Sequence, residues 1–229
     1  MGFLYEALAS SDLKPRMQPL KVTVVPVTPI QQNCSIVACT ATNRAAIVDP
    51  GGDVANIRKA IDQLKVTPER ILLTHGHFDH AGGAAELAES LSVPIEGPDE
   101  RDAFLLSNLE TQGPRFGITD SRNVKPDRWL VEGETVSIGD LTFNVLHVPG
   151  HTPGHLVFVN VPARFALVGD TLFQGSVGRT DFSYGSHEQL ISGIKEKLLP
   201  LGDDVTILPG HGPASSIGRE RQTNGFLQN

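Results

Sequence analysis

The sequence predicts a layered α/β fold built on mixed sheets. Three observations carry this. Short apolar and β-branched runs alternate with helix-type segments along the chain, as in layered α/β architectures. Each half opens on several such runs before its first helix, which points to antiparallel as well as parallel pairing. Several runs end at Gly-containing loops that carry His or Asp, the edge where α/β folds place their sites.

In chain order, strands are expected over Val22–Val27, Ser35–Cys39 and Ala45–Val48. Asp49-Pro50-Gly51-Gly52 breaks the chain. Asp53 stands where it would cap a helix over Val54–Leu64, with Ile57, Ile61 and Leu64 on one face. Ile71–Leu73 reads as a buried strand. Gly82-Gly83 precedes a helix over Ala84–Leu91, and Glu100–Leu109 reads as a third. The second half repeats the grammar with strands at Thr135–Ile138, Leu141–Val148, Leu156–Val159 and Phe165–Val168. Ser186 and Gln189 form a capping box that opens a helix to about Leu199. Val205–Leu208 is the last strand, and a short helix follows Ser216. Residues 1–18 are set apart as an N-terminal extension to a domain spanning 19–229. The extension carries helix-type residues over Leu4–Leu8 and a second methionine, Met17. It lacks the basic start and long apolar core of a signal peptide.

The 19 basic and 26 acidic residues give a net charge of -7 without a Lys/Arg cluster, so nucleic acid is not an expected partner. No apolar run approaches the roughly 20 residues of a membrane helix. Cys34 and Cys39 lie on one predicted strand, about 16 Å apart at about 3.3 Å per residue, too far for a disulfide. They read as buried apolar residues, compatible with a reducing cytoplasm. Nothing in the sequence sets the oligomeric state.

The densest chemical signal is Thr74-His75-Gly76-His77-Phe78-Asp79-His80, which follows Ile71-Leu72-Leu73 and precedes Gly82-Gly83. Imidazole and carboxylate together suit zinc, iron or manganese. His75 and His77 share a side in extended chain, whereas Asp79 and His80 lie past a turn and can face a second position. One ion rarely takes four ligands from so short a loop, so two adjacent ions are expected. Three further strand ends each present one ligand-type residue beside glycine: Asp170 after Val168-Gly169, His211 after Pro209-Gly210, and His151 after Pro149-Gly150.

The stretch LHVPGHTPGHL sets His147, His151 and His155 at helical spacing, but Pro149 and Pro153 forbid a helix. His147 continues the alternation of Leu141, Phe143 and Val145 as a polar strand end. His155 opens the next strand and is expected to donate a hydrogen bond that ties the loop. His151 alone sits at the loop apex as the candidate ligand. Asp49 either braces a metal-binding residue or is a turn aspartate before proline.

These motifs resemble the metallo-β-lactamase superfamily over about residues 22–226. VDPGGD, ILLTHGHFDHAGGAAELA, PGHTPGH, GDTLF, VGRTDF and LPGHGP are most similar to short, single-domain bacterial type II glyoxalases (hydroxyacylglutathione hydrolases). The resemblance implies an αββα sandwich of two mixed sheets flanked by helices. It implies one metal held by His75, His77 and His151, a second by Asp79, His80 and His211, and Asp170 bridging them. Zinc is the default, with iron or manganese also used in the family. The implied reaction is hydrolysis of S-D-lactoylglutathione to D-lactate and glutathione, a step of methylglyoxal detoxification. The expected nucleophile is a hydroxide bridging the metals, its pKa lowered toward about 7, with Asp79 orienting it. A thiolate leaves readily, since thiols ionise near pH 8.5, so no strong general acid is required.

The chain departs from two-domain relatives in lacking their C-terminal helical domain, and Pro213 stands where they carry a tyrosine after Gly-His. Arg179 occupies a position where relatives place a basic glutathione contact, but pairing with Asp181 is an equal structural use. Alternatives on the same scaffold are a persulfide dioxygenase with one iron, whose relatives share a GRTDF-like segment, and another thioesterase, lactonase or β-lactamase-like hydrolase. A metal-stabilised binding protein is the alternative from a different class.

Overall fold

In a computed structural model, which describes residues 19–228, period-two alternation sorts the strand side chains onto two faces. The first sheet has strand order β1 (Leu20–Val27), β2 (Gln32–Cys39), β3 (Arg44–Val48), β4 (Thr67–Leu72) and β5 (Ile95–Glu96). The first two pairings are antiparallel and the last two parallel. Cys34, Ile36, Ala45 and Ile47 face a cluster closed by α1 (Val54–Leu64) and, beyond the short α2 (Phe78–Ala81), by α3 (Ala84–Leu91). Val37, Cys39, Ala46 and Val48 face the opposite way, toward the second sheet. The two cysteines are both free and lie on opposite faces, as an odd separation along a strand requires.

After α4 (Ala103–Leu106) and α5 (Leu109–Gln112) comes the second sheet. It is built from β6 (Thr135–Ile138), β7 (Leu141–His147), β8 (Leu156–Asn160) and β9 (Phe165–Gly169). A small hairpin of β10 (Leu172–Phe173) and β11 (Ser176–Val177) and the helix α6 (His187–Gly193) precede its last strands, β12 (Thr206–Pro209) and β13 (Ser215–Ser216). Its order is β13-β12-β9-β8-β7-β6. Phe143, Val145, Phe158 and Leu167 fill the space between the sheets. Val157, Val159, Ala166 and Ile207 pack outward against α6, the helical turns that follow it, and α7 (Ile217–Thr223). Each buried Phe or Ile stabilises by about 1.5–3 kcal/mol, and these three clusters layer the chain as helix, sheet, sheet, helix.

Strand direction positions the site. β7 and β9 are both antiparallel to β8, and β12 is parallel to β9, so all three end on one edge. β3 and β4 likewise end together. The loops carrying Asp49, residues 74–80, His151, Asp170 and His211 leave these five ends.

Several local expectations need correction. Asp53 does not cap α1: it adopts φ 50°, and its carboxylate accepts from the Thr28 backbone N–H at 2.7 Å. The helix expected over Glu100–Leu109 is broken after Leu106, where Ser107 turns its hydroxyl onto the Phe104 carbonyl. β4 begins four residues early: Pro68 pairs with Ala45 and Arg70 with Ala46, which leaves Glu69 as the extra residue of a bulge in β4. The helix opened by Ser186 continues to Leu201 but widens over Ile194–Leu198 and tightens over Leu199–Leu201. The expectations for Leu4–Leu8 and Met17 lie outside the described residues. Among the described residues no helix is long and apolar enough to cross a membrane.

Candidate metal centre

The structure brings His75, His77, Asp79, His80, His151, Asp170 and His211 to one place between the sheet ends. Two sets of donor atoms lie within 4.8 Å of one another, His75 with His77 and His151, and Asp79 with His80 and His211. Asp170 lies between them. Its Oδ1 is 3.4 Å from His80 Nε2, and its Oδ2 is 3.6 Å from His151 Nε2 and 3.7 Å from His211 Nε2. Asp79 Oδ2 stands 3.0 Å from His211 Nε2.

The imidazole protons are fixed from outside. Thr74 Oγ1 gives its proton to Asp49 Oδ2 at 2.6 Å and therefore accepts from His75 Nδ1 at 3.0 Å. His80 Nδ1 donates to the same Asp49 oxygen at 2.9 Å. His151 Nδ1 donates to the Arg179 carbonyl at 2.8 Å. The remaining nitrogens of His75 and His151 then turn lone pairs on His77 Nδ1, at 3.0 and 2.9 Å. One proton on His77 Nδ1 satisfies only one of them, whereas one cation satisfies all three. In the second set His80 Nε2 and Asp170 Oδ1 are buried without a hydrogen-bond partner. The donors present therefore fit two cations, and Asp49 braces two of the histidines rather than serving as a bare turn residue.

Electrostatics agree. Burial, reinforced by neighbouring histidines, holds His75 well below the usual imidazole range and His77 at about 3. Burial also lowers His151. These rings are neutral, as metal ligation requires. Burial alone would lower His80, but Asp170 and Asp79 outweigh it and hold its pKa well above the ordinary value. Asp170 is held far below the carboxylate range, because His80 and its neighbours outweigh burial.

The other two histidines of the Leu146–Leu156 stretch are not in either donor set, although His155 stacks on His75 with centroids 4.8 Å apart. His147 Nε2 donates to the Pro153 carbonyl at 2.7 Å, closing its own loop. His155 ties the next loop, but as an acceptor rather than the expected donor: its Nε2 takes the Asp170 N–H at 2.9 Å. Backbone crowds the centre too. A side chain at Gly51 would overlap the Asp79 carbonyl, and one at Gly210 would overlap Asp170 and the His80 ring.

Asp102 has no signature in the sequence. It is fully buried, and its Oδ2 accepts from Gly76 N at 2.9 Å and Thr152 Oγ1 at 2.7 Å, while Oδ1 accepts from Gly154 N at 2.6 Å. One carboxylate thus joins the loop of His75 and His77 to that of His151. Arg179 lines the cleft over the donors, forms a two-bond pair with Asp181 at 2.7 and 2.8 Å, and lies 4.5 Å over the Phe182 ring.

A family profile described as the metallo-beta-lactamase superfamily matches residues 27–211. The hydroxyacylglutathione hydrolase GloC of Haemophilus influenzae is 45% identical over 91% of this chain and 98% of its own. Among solved structures, the BLEG-1 B3 metallo-beta-lactamase superposes with a TM-score of 0.84 at 34% identity, covering 91% of this chain and 100% of its own. TTHA1623 in a di-iron-bound form superposes at 0.81 and 34%, covering 90% and 100%. ETHE1 from Myxococcus xanthus, at 22% identity and a TM-score of 0.70, covers 90% and 83% and shares the fold alone. With the αββα layering and the paired His/Asp groups, these findings show that the chain is a hydrolase belonging to the metallo-beta-lactamase superfamily.

Proposed function

We propose that this chain hydrolyses glutathione thioesters, with S-D-lactoylglutathione as the reference substrate and D-lactate and glutathione as products. The observation that carries this is the convergence of His75, His77 and His151 lone pairs beside the buried, unpartnered His80 Nε2 and Asp170 Oδ1, at the floor of a cleft of about 550 Å³ lined by His77, Asp79, His151, Asp170 and His211. The 45% identity to a relative named hydroxyacylglutathione hydrolase supports the substrate. In this reading His75, His77 and His151 hold one ion, Asp79, His80 and His211 hold another, and Asp170 contributes to both. When bound, two divalent ions, zinc by default, supply an activated water and polarise the thioester carbonyl.

The chain's own residues arrange the rest. Asp79, beside His211 and His80, holds the carboxylate that orients the attacking water and takes its proton. The Asp49 bonds to Thr74 and His80 keep His75 Nε2 and His80 Nε2 pointing inward. His155 fixes the Asp170 backbone, which leaves the Asp170 carboxylate free for the centre. Tyr184 Oη lies 3.0 Å from His77 Nε2, and burial pushes its pKa up to about 12. It therefore stays protonated and steadies His77 rather than shuttling protons. The leaving thiolate needs no acid. The persulfide-dioxygenase alternative has behind it the GRTDF-like segment and a fold-level likeness at 22% identity, against 45% to a relative named hydroxyacylglutathione hydrolase. This reading places the enzyme in methylglyoxal detoxification in the cytoplasm.

Metal analysis beside a hydrolysis assay tests it. The expected result is about two ions per chain and turnover of S-D-lactoylglutathione that a chelator abolishes. Oxygen uptake with glutathione persulfide on a single iron, without thioester hydrolysis, would replace this reading with the dioxygenase.

A further inference from the structure

The cleft over the donors has two walls of different chemistry. One is mainly apolar, though Gln112, four residues before Phe116, also lines the cleft. Phe78 stacks on Phe116 with centroids 4.4 Å apart and planes within 14°, and Ile30 lines the cleft with them. Phe78 stands between His77 and Asp79 in sequence, so this wall starts at the reacting centre. Ile30 and Phe116 are 45% and 53% exposed, which leaves apolar surface facing water until something covers it. The other wall holds Phe182 stacked on Tyr184 at 5.1 Å, with Arg179 over Phe182. Among the described residues Arg179 is the only Lys or Arg lining the cleft.

A glutathione thioester has two unlike ends. The carrier bears two carboxylates, one of which would take the place of Asp181 on Arg179. The acyl group then falls to the Ile30–Phe78–Phe116 wall. A lactoyl group has three carbons and a hydroxyl; it is too small to cover the stacked pair, and these three side chains offer its hydroxyl no acceptor. Resting on the thioester-hydrolase reading above, we infer that this wall is an acyl subsite that selects thioesters with an aromatic or bulky apolar acyl group over the lactoyl ester. An aromatic acyl group would extend the Phe78–Phe116 stack and cover the face that Phe116 now shows to water.

The test compares S-D-lactoylglutathione with its 3-phenyl homologue, S-D-phenyllactoylglutathione, on the metal-loaded enzyme. The two differ by one ring and share carrier, hydroxyl and electronics at the reacting carbon. The expected result is a kcat/KM about tenfold higher for the phenyl homologue. Phe116→Ala, at an exposed position, should remove most of that preference, with a loss of kcat/KM several-fold larger for the phenyl homologue than for the lactoyl ester. Equal kcat/KM for both esters, or an equal loss for both in Phe116→Ala, would overturn the acyl subsite and leave the hydrolase reading standing. Turnover of neither ester by the loaded wild type would overturn the hydrolase reading and the subsite with it.

Discussion

Asp102→Asn tests whether one buried carboxylate holds the two histidine loops together. The native oxygens receive three donors, from Gly76, Thr152 and Gly154. An asparagine has one oxygen. Its best orientation keeps the Gly76 and Thr152 bonds and sets its NH2 against the Gly154 N–H, a buried donor then left unpaired at a cost of about 1–3 kcal/mol. A second effect opposes this at neutral pH. Burial raises the Asp102 pKa to about 6, even against its three hydrogen bonds. A raised pKa in the folded state favours folding where the group is protonated, and that contribution is lost as pH rises through about 6. Between pH 5 and 7.5 the wild type loses roughly 1.4 kcal/mol by this route, and the amide variant loses nothing. The variant is therefore less stable than wild type by about 1–3 kcal/mol at pH 5, and the gap narrows by roughly 1.4 kcal/mol at pH 7.5. Denaturant unfolding of both proteins at each pH, with metal content measured alongside, reads this out; the variant should also hold less metal. Equal stability with full metal content would refute the clamp, and a gap wider at pH 7.5 would refute the pKa argument.

Two further predictions follow from the centre. His151→Ala should lower metal content and abolish hydrolysis, whereas His147→Ala, which removes the bond to the Pro153 carbonyl and the contact with Arg101, should leave metal content nearly unchanged; equal loss from both would overturn the division of the histidines. Asp49→Asn keeps a residue that tolerates the left-handed φ of 53° but removes the charge that holds Thr74 and His80, so metal affinity by competition with a chelator should fall about 10–100-fold, and an unchanged affinity would count against the bracing role.

Much of the layering was legible because burial writes a period of two. Ile36 and Val37 alternate between clusters, and so do Ala46 and Ile47, so a strand with both faces buried still reveals itself through β-branched content. The donor residues were legible for a related reason: each follows an apolar run and sits beside a glycine that lets loops crowd. Asp102 was not, because two of its three partners are backbone groups 26 and 52 residues away, and a backbone N–H leaves no trace in residue type. The Ile30–Phe116 wall was hidden likewise. Its members come from loops 86 residues apart in number that have no periodicity to read. The direction of the His155 bond was misread because the sequence shows a ring but not which neighbour holds the proton.

Each half of the donor set is split between the two sheets. His75 and His77 leave the first sheet and His151 the second; Asp79 and His80 leave the first, and His211 and Asp170 the second. A chain with only one sheet formed offers neither ion a full shell. Ions held there would rivet the sheets as well as react, and their uptake would report that the two halves have found each other.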